Sequence, residues 1–150
     1  MTILHTQLRE KIIRPALHSL NAEIPYSEAA VELLMMTAAH ESNLGTYVHQ
    51  VGGPAEGIYQ MEPMTELDIM SNFLKYRADL WKMLPLDQSL MTNLLYATQM
   101  ARIHYFRDKE PLPDIEDFEG LARYAKRVWN TLEGKATEMD YLVAYNRLCV

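Results

Sequence analysis

Apolar residues recur three and four positions apart along most of this chain, and that spacing restricts what it can build more than any other property of the sequence. Between residues 3 and 20, Leu4, Leu8, Ile12, Ile13, Ala16, Leu17 and Leu20 fall on one side of a helix that Pro15 is expected to kink or divide. Ser27 is placed to cap a helix running to residue 42, with Glu28 in its first turn and Gly45 as its stop. Thr65 and Asp68 resemble a capping box opening a helix that carries Leu67, Ile69, Met70, Phe73 and Leu74. Asp87 can cap a long helix to about Phe106, on which Leu90, Leu94, Ala97, Ala101 and Tyr105 repeat. Residues 116–129 and 137–148 give two more helices, parted by the stretch around Gly134. Alternation with a period of two is almost absent, so the expected fold class is mostly α. The exception is Gly52, Gly53, Pro54 and Gly57, which predict a short irregular or hairpin segment near the middle. No repeat, linker or shift of composition marks a second domain, so residues 1–150 are expected to form one.

Composition agrees and removes several classes of function. With 49% hydrophobic and 23% charged residues, the 150-residue chain can bury a sizeable core and is not a disordered or low-complexity sequence. Met35, Met36, Met61, Met64 and Met70 read as flexible fillers of that core. No apolar run reaches the ~18 residues needed to cross a bilayer, so no membrane partner is expected. The N-terminal stretch lacks the separate basic, apolar and cleavage regions of a secretory signal. Fourteen basic against 20 acidic residues give a net charge of −6, which opposes a phosphate backbone, so nucleic acid is not expected as a partner. Cys149 is the only cysteine and has no partner for an internal disulfide. The glycine cluster has neither the Lys-Ser/Thr pair nor the preceding strand of a phosphate cradle, and no cofactor is expected.

The sharpest local conflict lies in the helix from 27 to 42. Ala30, Leu33, Leu34, Thr37 and Ala38 define an apolar stripe at helical spacing, and Glu41 continues it. A carboxylate there is also in the last turn, at the negative end of the helix dipole. Burial and dipole both penalise the charged form and so raise the pKa. A carboxyl group that keeps its proton near neutral pH is what a general acid requires, which makes Glu41 the catalytic candidate. The same spacing also fits a helix that ends earlier and leaves Glu41 in solvent, or a Glu41 met by a cation from elsewhere in the fold.

Ala38-Ala39-His40-Glu41-Ser42-Asn43-Leu44, followed by Gly57-Ile58-Tyr59-Gln60-Met61-Glu62-Pro63-Met64-Thr65, resembles the lytic transglycosylase and goose-type lysozyme branch of the lysozyme-like superfamily. That branch has a Glu-Ser pair at a helix end and then a Gly-Leu-Met-Gln-Ile-x-Pro-x-Thr segment. The similarity is closest over residues 31–69, and its wording is most similar to phage-encoded members. It implies a lysozyme-like, transglycosylase-type domain over residues 1–150. The implied activity is cleavage of the β-1,4 bond between N-acetylmuramic acid and N-acetylglucosamine in peptidoglycan, with Glu41 as general acid and base. The same resemblance implies that Ser42 supports the carboxylate and lines the cleft. It sets Gly57, Ile58, Tyr59 and Gln60 beside the glutamate, with Gln60 toward the sugar N-acetyl group. The family's later Ala-Tyr-Asn-Ala-Gly stretch has its nearest counterpart by position in Leu121-Ala122-Arg123-Tyr124-Ala125, where no Asn follows, so Tyr124 is the implied tyrosine at the acid. A literal Ala144-Tyr145-Asn146 lies nearer the C-terminus.

The implied partner is the glycan strand, and the implied setting is the host cytoplasm or a phage virion, with delivery to the periplasmic cell wall. The product is a 1,6-anhydro sugar if the substrate's own hydroxyl attacks, or a reducing end if water does. A two-carboxylate reaction would draw on Glu56, Glu62 or Asp68. His40 and His49 match no helical metal-binding spacing, and no metal site is expected. Tyr96, Tyr105, Tyr124 and Trp129 can stack on sugars or fill the core. The rival to an enzyme is a catalytically inactive lysozyme-fold protein, either a phage structural component or a module that binds a host protein.

Overall fold

The computed structural model describes residues 2–150. Its helices follow in order as α1 (His5–Gln7), α2 (Arg14–Ser19), α3 (Glu28–Ser42), α4 (Pro63–Asn72), α5 (Ala78–Trp81), α6 (Leu94–Phe106), α7 (Phe118–Ala125) and α8 (Glu138–Leu148). Wider π turns fill Leu8–Ile13 and Lys126–Asn130, and a 3-10 turn spans Leu74–Tyr76. Among the described residues the protein is mostly helical without a strand; two isolated bridges, His49 to Glu56 and Glu56 to Met61, are the only β pairing. They shape the glycine-rich segment into a tight double turn. Among the described residues no helix is long and apolar enough to cross a membrane.

Local chemistry explains where the helices start. Ser27 Oγ accepts the Ala30 N–H at 3.2 Å, as its spacing predicts. Thr137 and Asp140 form a reciprocal capping box on α8. Two starts differ from the sequence expectation. Helix α4 begins at Pro63, whose fixed φ suits a first helical position, and Asp68 is drawn instead to Asn72 and Arg107. Helix α6 begins only at Leu94, because Asn93 caps the Tyr96 N–H at 3.0 Å and the residues from Asp87 stay irregular. Pro15 falls where the segment divides, the π turn ending at Ile13 and α2 starting at Arg14. It sits in the first turn of α2, where its missing N–H is not needed, directly after the π turn.

Helix α3 is the centre of the fold, packed against the Leu8–Ile13 turn, α6, α7 and α8. Every residue from Ala29 to Ala39 is buried, so this stretch of the helix has no solvent face and the expected single stripe is replaced there by contact all round. Helix α6 carries Ala97, Ala101 and Tyr105 into the core around α3. Its Tyr96, Met100 and Ile103 face a second core with Leu20, Ile69, Leu74 and Leu80. Met35, Met36 and Met61 are buried as expected, whereas Met64 lies on the outer face of α4.

The buried stretch of α3 includes Glu32. Arg9 holds its carboxylate with two bonds of 2.9 Å, and the Tyr145 hydroxyl donates at 2.6 Å. Removing the cation strands a buried charge. Arg9→Met is expected to lower unfolding free energy by about 3 kcal/mol in urea titrations, and the double substitution Arg9→Met with Glu32→Gln to recover part of the loss.

Candidate functional site

Glu41 lies where α3 leaves the core. Asn43, Leu44 and Gly45 follow with φ of 52°, 52° and 83°, so the chain turns away sharply just after the carboxylate. Asn43, rather than Gly45, is the first left-handed residue, and Asn tolerates that conformation better than most side chains. The Glu41 side chain is 17% exposed. Its Oε2 accepts a 2.7 Å hydrogen bond from the Tyr141 hydroxyl on α8. No lysine or arginine ion pair reaches it among the described residues. Its pKa is pushed up to about 7, because burial disfavours the anion while the tyrosine hydrogen bond only partly opposes this. That environment contrasts with Glu32 on the same helix, which Arg9 neutralises.

His40 is the other neighbour. Its Nε2 is 3.9 Å from Glu41 Oε2, and its ring leans on Tyr141 with centroids 4.2 Å apart. Burial holds His40 below the usual imidazole range, although Asp140 opposes this. His49 is exposed, with Nδ1 3.0 Å from the Gln50 carbonyl. Among the described residues no group of three or more His, Cys, Asp or Glu side chains is close enough to hold a metal ion.

Glu41 faces an open groove of about 520 Å³. The middle segment contributes Gln50, Ala55, Gln60, Met61 and Glu62, and Thr65 comes from the start of α4. His104 of α6, with Trp129, Asn130, Thr131 and Gly134, closes the other side. No lysine or arginine lines it; the acidic groups are Glu41 and Glu62. His104 is held down to about 4, first by burial and then by the Arg107 guanidinium, which donates to Nδ1 at 3.2 Å. It is therefore a neutral polar group throughout the neutral range. Trp129 stands edge-on to His104 at 5.0 Å and leans on Tyr105 at 5.2 Å.

The residues expected around Glu41 divide into two sets. Gln60 reaches the groove, held in a left-handed conformation (φ 52°) while its Nε2 donates to the Gly57 carbonyl at 2.8 Å. Gly57, Ile58 and Tyr59 are buried behind it. Gly57 takes φ 80° against the Leu90 carbonyl, where a Cβ would sit 2.2 Å from the oxygen. The Tyr59 hydroxyl bonds Thr98 at 2.9 Å inside the protein. Ser42 is buried rather than lining the cleft; its hydroxyl donates to the Ala38 carbonyl and accepts the Gly45 N–H, tying down the helix end.

Tyr124 is a further correction. It lies away from the groove, with its hydroxyl donating to the Glu110 carbonyl at 2.8 Å, because α7 presents it beside Tyr105 rather than Glu41. The tyrosine on the carboxyl group is Tyr141, which sequence reasoning missed. Tyr145 of the literal Ala-Tyr-Asn goes to Glu32 instead. A signal for Tyr141 does exist in the sequence: Tyr141 and Tyr145 are four apart on a capped helix and share one face. Of the three acidic residues considered as a second carboxylate, only Glu62 borders the groove. Asp68 is engaged by Arg107 at 2.7 Å.

The chain matches no model of a known protein family, no curated protein and no solved structure.

A carboxyl raised from 4.5 to about 7 binds its proton more tightly folded than unfolded, so stability is lost as pH rises across that window. Glu41→Gln is expected to stabilise the fold above pH 7 by up to about 3 kcal/mol, with little effect below pH 4.5, in thermal unfolding across a pH series.

Proposed function

We propose that this protein is a lysozyme-like glycosidase that cleaves the β-1,4 bond between N-acetylmuramic acid and N-acetylglucosamine in peptidoglycan, using Glu41 as general acid and base. The observation that carries this reading is the Glu41 carboxyl itself: protonated to about pH 7, held by one tyrosine, and opening onto a groove. The groove supports a sugar ligand. Gln50, Gln60 and Asn130 offer amides to hydroxyl and N-acetyl groups, Trp129 offers an aromatic surface, and the Lys126 ammonium behind Asn130 is already engaged by Asn130, Thr131 and Gly134.

In the forward step, Glu41 donates its proton to the glycosidic oxygen as the C–O bond breaks and positive charge develops at the muramic anomeric carbon. The resulting carboxylate stabilises that charge and takes a proton from the attacking hydroxyl, either the muramic 6-hydroxyl or water. Charge on Glu41 is thus needed only after bond cleavage begins. The Tyr141 hydroxyl stabilises the carboxylate at that stage by its hydrogen bond. His104 stays neutral and adds polarity without a competing charge. Glycan strands of the periplasmic wall are the substrate, reached from a phage virion or from an infected cell.

Purified sacculi incubated with the protein and analysed by mass spectrometry should yield soluble muropeptides, whose anhydro or reducing ends identify the attacking group. Glu41→Gln should reduce release about a hundredfold or more. No release by the intact protein between pH 4 and pH 8 would exclude the glycosidase and leave an inactive binding protein. Because the acid must be protonated, kcat/KM should fall as pH rises above about 7. Tyr141→Phe removes a donor to the anion, so its alkaline limb should move to higher pH.

A further inference from the structure

A second cavity, of about 430 Å³, lies between the turn at Pro25–Ser27, the end of α6 and the loop from Asp108 to Leu112. Arg102 of α6 lines it and is only 6% exposed. Among the described residues its guanidinium makes no hydrogen bond and no ion pair; it lies over the face of Phe106, 5.7 Å from the ring centroid, with Tyr124 near enough to act on its charge. Other arginines in the fold have carboxylate partners. Arg9 has Glu32, Arg14 has Glu10 and Glu28, and Arg107 has Asp68. The two carboxylates that border this cavity are already engaged, since Arg127 takes Asp108 through two bonds of 2.9 and 3.0 Å and reaches Glu110 at 3.3 Å.

A guanidinium stays charged at any ordinary pH and carries five donors in a planar fork. Burying most of that side chain without an acceptor costs free energy, and among the described residues no carboxylate or carbonyl answers the guanidinium, whose nitrogens stay open to the cavity. The inner walls are chiefly apolar, with Pro25, Phe106, Pro111 and Leu112 and the rings of Tyr26 and Tyr124, while Lys109 brings an exposed cation to the rim. Both tyrosine hydroxyls already donate their protons, to Glu28 and to the Glu110 carbonyl. Buried polar recognition therefore falls to Arg102, and the exposed rim, where Lys109 stands between Asp108 and Glu110, supplies no net positive charge to favour a dianion.

We propose that this cavity binds a small monocarboxylic acid with an apolar, aromatic body, its carboxylate forked on Arg102 and its ring against Phe106 and Tyr124. The site is separate from Glu41 and does not depend on glycosidase activity.

The test uses the full chain with N-acetyl-phenylalanine as probe. N-acetyl-phenylalaninamide and inorganic phosphate serve as controls, with calorimetry and thermal unfolding as readouts. The acid should bind and raise Tm, and neither the neutral amide nor phosphate should do so at equal concentration. Arg102→Met should weaken binding about tenfold or more, the loss expected for one bidentate charge-assisted contact. Without the acid it should unfold at the same temperature as the parent or higher, since it removes an unpaired buried charge. Glu41→Gln should bind the acid normally. The proposal is overturned if the acid leaves Tm unchanged, if phosphate acts equally well, or if Arg102→Met is destabilised like an ordinary core substitution while binding unchanged. Should Arg102→Met not fold, the side-chain Nε–H resonance of Arg102 in the parent protein must move on adding the acid; an unmoved resonance overturns the proposal equally.

Discussion

Helix α3 turns no face to water between Ala29 and Ala39, so each polar group on it has to be answered from inside the protein. Thr37 gives its hydroxyl proton to the Leu33 carbonyl or shares it with Tyr105, 2.8 Å away. Glu32 and Glu41 are met by Tyr145 and Tyr141, one turn apart on α8. The later tyrosine meets the earlier glutamate, so the two helices run antiparallel, and the pair of bonds fixes their register. What separates the two carboxylates is charge. Arg9 neutralises Glu32 and makes it a structural counter-ion, whereas Glu41 has a hydroxyl and a partly buried imidazole for company. Only the second arrangement leaves a carboxyl that both holds and releases a proton near neutral pH.

The segment after α3 turns that carboxyl into a site. Three left-handed residues carry the chain off the helix end, and Ser42 pins the turn from below. The chain then folds back through the two bridges around Glu56. Gly57 lies against the Leu90 carbonyl too closely for any side chain, and Tyr59 is anchored on Thr98 of α6. These residues do not touch the groove. Their packing fixes the left-handed Gln60 at its edge, so a segment that reads as binding machinery is mostly scaffold.

Two buried arginines illustrate how specificity and stability diverge in this fold. Arg9 is satisfied and joins the first helical turns to α3 and to the C-terminal carbonyl of Cys149. Arg102 is more deeply buried and has no acceptor among the described residues, which is an arrangement that stability alone does not favour. Unsatisfied buried charge and the raised Glu41 carboxyl both work against the folded state. Each sits at a cavity, where local rules of burial are most often broken for binding or chemistry.

Helical character, the Ser27 cap, the break in the middle and the exceptional position of Glu41 were legible in the sequence, because spacing, capping and helix polarity act over a few residues. Competition between nearby signals was less so: Pro63 displaces Thr65 and Asn93 displaces Asp87 as helix starts. Tyr141 is 100 residues from Glu41, and its role as hydrogen-bond donor depends on α8 crossing α3, which no local pattern encodes. The same holds for Trp129 and His104 at the groove, and for Tyr124, which the crossing of α7 turns the other way. Sequence alone therefore determined that a carboxyl would meet the end of a helix. Whether it would find a cation, a hydroxyl or bulk water was decided by packing, since a pKa answers to everything within a few ångströms regardless of its place in the chain.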